Sequence, residues 1–146
     1  TGKDVEHHGK FFDFEHALML PAPRKPVPVW VGGASKPALR RAARNDGWLG
    51  VPMFNKQLLA MTRGLFAMRQ ELGRSAEPFD VMLCPLEPMT AEALSEFESA
   101  GAHHSMALPW TPSPWGRAPW VKEGEDHTRL DIKRKAMERF ARKVGM

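Results

Sequence analysis

The hydrophobic pattern of this chain changes period repeatedly, and each change marks a new element. Val27 to Val31 is an apolar, β-branched run behind a proline, which predicts a short buried strand. Ser35 then offers an N-cap, Pro37 suits a first turn, and "ALRRAARN" continues as helix to about Asn45. Trp48 to Val51 reads as a second strand. Asn55 is the expected cap of a long helix whose buried stripe is Leu58, Leu59, Met61, Leu65, Phe66, Met68 and Leu72, with Gly73 as its stop. Phe79 to Leu86 predicts a third strand, Thr90 to Ala100 a third helix ended by Gly101, and Ser105 to Leu108 a fourth, short strand. A final helix closes the chain, with Leu130, Met137, Phe140, Ala141 and Val144 on one face.

Strand and helix thus alternate four times over residues 27–146. Near-continuous apolar strands in that alternation imply an α/β fold with a parallel sheet covered by helices. Two architectures suit it: an open doubly wound sheet, or part of a (β/α)8 barrel. Residues 1–26 are expected to form an irregular, extended arm. Its Phe11, Phe12, Phe14, Leu18 and Leu20 have no core of their own and need a surface to lie on, while Pro21, Pro23 and Pro26 stiffen its return.

Composition narrows the class only a little. A chain of 146 residues with 42% apolar and 26% charged residues can build a single core. No apolar run reaches the roughly 18 residues of a membrane span, and "TGKDVEHHGK" has no secretory core. The missing initiator methionine suggests a segment of a longer chain. Cys84 is the only cysteine, which excludes an internal disulfide framework and points to the cytoplasm. Net charge is +4, and Arg129, Lys133, Arg134, Lys135, Arg139, Arg142 and Lys143 crowd into the last helix. That helix reads as the wet face of an outer element in preference to a nucleic-acid binder.

The junction of the first strand and helix carries the most chemistry. Gly32 and Gly33 sit at a strand's carboxyl end, where ligands bind in either architecture. Glycine there lets the backbone turn sharply and lets a ligand approach closely. The amides of Ala34 and Ser35, the Ser35 hydroxyl and the positive end of the next helix would suit a phosphate. A tight turn with a capped helix explains the same residues. The pattern is neither a P-loop nor GxGxxG.

The wider order "VPVWVGGASKPALRRAARNDGW", with "HHGKFFDF" upstream, resembles the luciferase-like monooxygenase family of flavin- or deazaflavin-dependent oxidoreductases. The match runs from about Val5 to Pro52 and is only architectural beyond. The resemblance implies a (β/α)8 TIM barrel of which this chain, one partial domain over residues 1–146, is the C-terminal half. It implies that Gly32, Gly33, Ala34 and Ser35 receive the phosphate of FMN or the deazaflavin coenzyme F-420. It also implies a small-molecule substrate. Relatives bind the reactive ring with residues from the first four strands, so activity of this half alone is not expected, and no residue is assigned as general acid or base. Asp46, Gly47 and Trp48 match the signature at the next strand, with Asp46 expected to pair with Arg40, Arg41 or Arg44.

Other candidates rank below that turn. The loop from Pro109 to Asp126 holds four prolines and three tryptophans and follows the fourth strand at the functional end. Trp110, Trp115 and Trp120 are candidates for a substrate pocket, and Arg117 for an anion contact. His7-His8 and His103-His104 lack chelating spacing, so no metal is expected. Cys84 reads as a small core residue. The expected function is therefore the C-terminal portion of a luciferase-like oxidoreductase. The alternatives are a truncated, non-catalytic half-barrel that self-associates or pairs with a missing N-terminal half, and a nucleic-acid binder through the basic helix.

Overall fold

The computed structural model describes residues 2–111 and 120–145. A two-stranded antiparallel hairpin, β1 (Val5–His8) and β2 (Asp13–Ala17), precedes a four-stranded parallel sheet. That sheet contains β3 (Trp30–Gly32), β4 (Gly47–Leu49), β5 (Asp80–Leu83) and β6 (His104–Ser105), in that order. Helices α1 (Lys36–Ala42), α2 (Asn55–Glu71) and α3 (Ala91–Ser99) connect them, and α4 (Leu130–Val144) follows. The parallel α/β character expected from the alternation is present, with each strand beside its sequence neighbour.

The strands are shorter than the apolar runs. Pro26 and Pro28 have no N–H to give to a ladder, so pairing starts at Trp30 and leaves Val27 and Val29 exposed. The third strand stops at Leu83, before Pro85, and survives beyond only as a bridge between Met53 and Pro85. Register aligns Trp30, Gly47 and Asp80 in one row and Val31, Trp48 and Val81 in the next. Because side chains alternate, the second row faces the helices with Leu83. Trp48, Val81 and Leu83 are fully buried there with Leu58, Leu65 and Phe97. The opposite face carries Gly32, Leu49, Met82 and His104 and stays partly open.

Several helix details depart from the sequence reading. Phe54, not Asn55, caps α2, and its N–H donates to Gln57 Oε1 at 3.4 Å. Leu72 is exposed at the end of that helix, where Gly73 turns the chain away at φ +69°. The buried residues of α2 include Thr62 and Arg69, which an apolar stripe does not contain. In α4 the buried positions are Ile132 and Ala136, whereas Leu130 and Met137 point to solvent. Helix α3 conforms: Thr90 Oγ1 accepts the Ala93 N–H at 3.2 Å, and Gly101 ends it at φ +92°.

Within the amino-terminal arm, residues 5–17 form a hairpin, while residues 18–26 are irregular as expected. The hairpin turn closes through the Gly9 N–H and the Phe12 carbonyl at 2.9 Å. His8 pairs with Asp13 at 2.6 Å and His16 with Asp4 at 2.8 Å, while the ring of His7 lies beside Phe14. Phe11 and Phe12 stand exposed at its tip.

Candidate functional site

The site is built where β3 and β4 deliver their carboxyl ends. Gly33 adopts φ +109°, a conformation that side chains rarely take, and a Cβ there would also press on Ala38 at 3.2 Å. Ser35 is the N-cap of α1, its Oγ accepting the Ala38 N–H at 3.4 Å, with Pro37 in the first turn as the sequence predicts. The hydroxyl hydrogen of Ser35 remains free to donate. Among the described residues, the N–H groups of Ala34 and Ser35 meet no acceptor.

The neighbouring helix starts differ from that of α1 in one respect. At α2 the Asn55 N–H donates to the Glu87 carboxylate, while at α3 Thr90 accepts the Ala93 N–H just as Ser35 accepts that of Ala38 at α1. The Asn55 Oδ1 is buried there with no partner among the described residues. An incoming anion would meet a carboxylate at α2 but two unfilled N–H donors and a hydroxyl at the Gly-Gly turn.

Asp46 and the first two residues of β4 hold that turn in place. The Asp46 carboxylate accepts the Val29 N–H at 2.8 Å, and the Asp46 N–H returns a bond to the Val29 carbonyl at 3.1 Å. This replaces the expected pairing of Asp46 with Arg40, Arg41 or Arg44: a backbone donor directly across the ladder wins over arginines exposed to solvent. Gly47 lies under the Trp30 indole, which a Cβ would approach to 2.7 Å. Trp48 is fully buried and its Nε1–H donates to the Gly33 carbonyl at 2.8 Å. Spacing alone did not reveal these links, although two motifs spaced for adjacent parallel strands were the available signal.

The luciferase-like monooxygenase profile matches residues 1–144. The chain belongs to the luciferase-like monooxygenase family. Proteins of Mycobacterium bovis and of two strains of Mycobacterium tuberculosis, described only as uncharacterized, are each 33% identical over 150 residues. Those alignments cover 99% of this chain but 47% of each relative, so the chain spans about half the length of the curated relatives it matches.

Within this luciferase-like chain the remaining candidates scatter. Trp110, half-buried, follows β6 at the far edge of the sheet. Trp115 and Arg117 lie outside the described residues. Trp120 packs edge-on against Phe140 at 5.7 Å, and its carbonyl accepts from Arg139 at 3.0 Å, so it ties the loop to α4. Arg139 also grips Glu125 at 2.6 and 2.7 Å, which holds that carboxyl down at about 2.

His103 precedes β6 and His104 opens it, in the row of Gly32, Leu49 and Met82. The His104 ring lies beside Trp30 at 5.4 Å, with its Nε2 3.8 Å from the Asp80 carboxylate. No group of three metal-ligating side chains occurs among the described residues. Cys84 is half-buried just past β5, and burial pushes its thiol up. No helix among the described residues is long and apolar enough to cross a membrane.

Proposed function

We propose that this chain is the C-terminal half of a luciferase-like flavin- or deazaflavin-dependent oxidoreductase. In this reading the turn from Gly32 to Ser35 anchors the cofactor phosphate. The observation that carries it is the pair of unfilled N–H groups at Ala34 and Ser35, beside a hydroxyl, whereas the first N–H of α2 already meets the Glu87 carboxylate. The family commonly uses flavin-type cofactors, and this donor set fits a phosphate dianion.

The architecture supports half of a (β/α)8 barrel, as one partial domain. Consecutive strand order with one face buried under helices is what an arc of such a barrel requires. A doubly wound sheet needs helices on both faces, whereas here Leu49, Met82 and His104 line an open face. In a closed barrel that face would turn inward and meet side chains from the other strands. The coverage of 47% of each relative agrees with four strand–helix units out of eight.

When bound, FMN or coenzyme F-420 supplies hydride or electron transfer to a small organic substrate. The residues of this chain fix its position. Trp48 and Asp46 set the turn, Gly33 keeps its surface bare, and Ala34 and Ser35 donate to the phosphate. Substrate contacts are assigned to the segment after β6, beginning with Trp110, and extending to Trp115 and Arg117.

Titration of the protein with FMN and with coenzyme F-420, alone and with the N-terminal half of a family member supplied, tests the reading. Binding of either cofactor, lost on Gly33→Val, supports it. No affinity for either, with the second half present, refutes it.

A further inference from the structure

The outer surface between α1 and α2 contains a groove of about 370 Å³ that the cofactor reading leaves unused. One wall carries three cations one helical turn apart: Lys36 and Arg40 on α1, and Arg44 in the turn that follows. Each is exposed, and none makes an ion pair among the described residues. Gly64, Ala67 and Met68 of α2, with Leu72 just past its end, form the other side, and Glu71 is the one anion of the lining.

Gly64 has no role inside the chain. It lies within α2 without a positive φ, and a Cβ built on it would meet nothing within 4 Å. Glycine inside a helix is destabilising relative to alanine. Its use here keeps the groove open for something that approaches α2 closely.

Helix α3 has the complementary character. It carries Glu92, Glu96 and Glu98 and no basic residue. Beside them on the exposed face, Ala91, Ser95 and Ser99 follow one another at intervals of four residues with only small side chains. Lys143 acts on Glu92 from α4, while Glu96 and Glu98 have no cation partner among the described residues. Glu92 and Glu96 are spaced by four residues, as Lys36 and Arg40 are.

We propose that the α1–α2 groove receives α3 of a second copy of this chain, with Glu92 and Glu96 of the partner subunit meeting Lys36 and Arg40. Both surfaces lie on the helical side of the same sheet, so a two-fold pair makes the contact twice. Opposite charges in register orient the two copies, and the small stripe of α3 lets its backbone come close to Gly64.

Sedimentation of the 146-residue chain, with no cofactor present, tests this independently of the phosphate site. The wild type is expected to form a dimer that salt weakens. Lys36→Glu/Arg40→Glu and Glu92→Lys/Glu96→Lys should each raise the dissociation constant about a hundredfold. An equimolar mixture of the two variants should restore the dimer, because each groove then faces a helix of opposite charge. Gly64→Leu should keep the fold, shown by circular dichroism, and lose the dimer. Should Glu92→Lys disturb the first turn of α3, Glu96→Lys mixed with Arg40→Glu makes the same test. A monomeric wild type, a dimer indifferent to both charge reversals, or a mixture that stays monomeric overturns the proposal. An acidic peptide that binds the groove of a monomeric chain overturns it as well, in favour of a foreign partner.

Discussion

The indole N–H of Trp48 donates to the carbonyl of Gly33 at 2.8 Å, joining the signature of one strand to the glycine turn of the strand before it. Trp48 is fully buried and Gly33 half-buried, so the bond fixes the turn and satisfies a carbonyl that positive φ turns away from the ladder. Trp48→Phe keeps most of the buried area and leaves that carbonyl unpaired. The expected loss is about 1–3 kcal/mol in urea unfolding, accompanied by weaker FMN binding. Unchanged stability and affinity would separate the motif from the turn.

Gly47 is required by the ring above it rather than by its own backbone. Gly47→Ala places a methyl 2.7 Å from Trp30 Cδ1, so the indole must leave its place beside His104. A cost of about 1–3 kcal/mol is expected, with a shift in tryptophan emission. Native stability together with an unchanged spectrum would show that Trp30 does not rest there.

Arg69 is a buried cation that ties the segment after α1 to the one between α2 and β5. Its guanidinium donates to the carbonyls of Ala43 (3.1 Å), Asn45 (3.3 Å), Arg74 (3.0 Å) and Glu77 (3.0 Å), and it lies 4.2 Å over the Phe79 ring. Burial lowers its pKa, chiefly by desolvation, yet five donors in a plane suit this set of acceptors. Arg69→Met should destabilise by about 3 kcal/mol or more. Arg69→Lys should rescue little, since one ammonium cannot span the carbonyls.

The Glu125–Arg139 clamp gives a pH dependence with a defined sign. Hydrogen bonds from Arg139 and the Lys122 N–H hold the Glu125 carboxyl at about 2, against 4.5 for a free glutamate. A depressed folded pKa contributes stability that is complete above the unfolded value and is lost as pH falls through the folded one. The stability difference between wild type and Glu125→Gln should therefore be constant near neutrality and shrink between about pH 4.5 and pH 2. A difference that grows with acidity would contradict the clamp.

The legible part of the fold followed from local rules. Ser35, Pro37, Thr90, Gly73 and Gly101 punctuate helices by capping chemistry that needs no tertiary partner. Strand lengths were overestimated because apolar runs report burial, whereas ladders need N–H donors that Pro26, Pro28 and Pro85 lack. The hairpin was missed because its ring contacts and ion pairs cross between strands, where helical and strand periodicity carry no signal. At the site, the Gly-Gly turn was visible in the letters. Its bonds from Asp46 and Trp48, and the filling of the α2 start by Glu87, were not, because each depends on residues brought together from distant positions.

The most direct test of the phosphate anchor compares FMN with riboflavin on wild type and Ser35→Asp. Aspartate still caps α1 but sets a negative charge beside the Ala34 and Ser35 N–H groups. Wild type should bind FMN at least about tenfold more tightly than riboflavin, and Ser35→Asp should abolish that preference with its thermal midpoint unchanged. Equal affinities in the wild type, or an FMN preference that survives Ser35→Asp, would contradict a phosphate held at this turn.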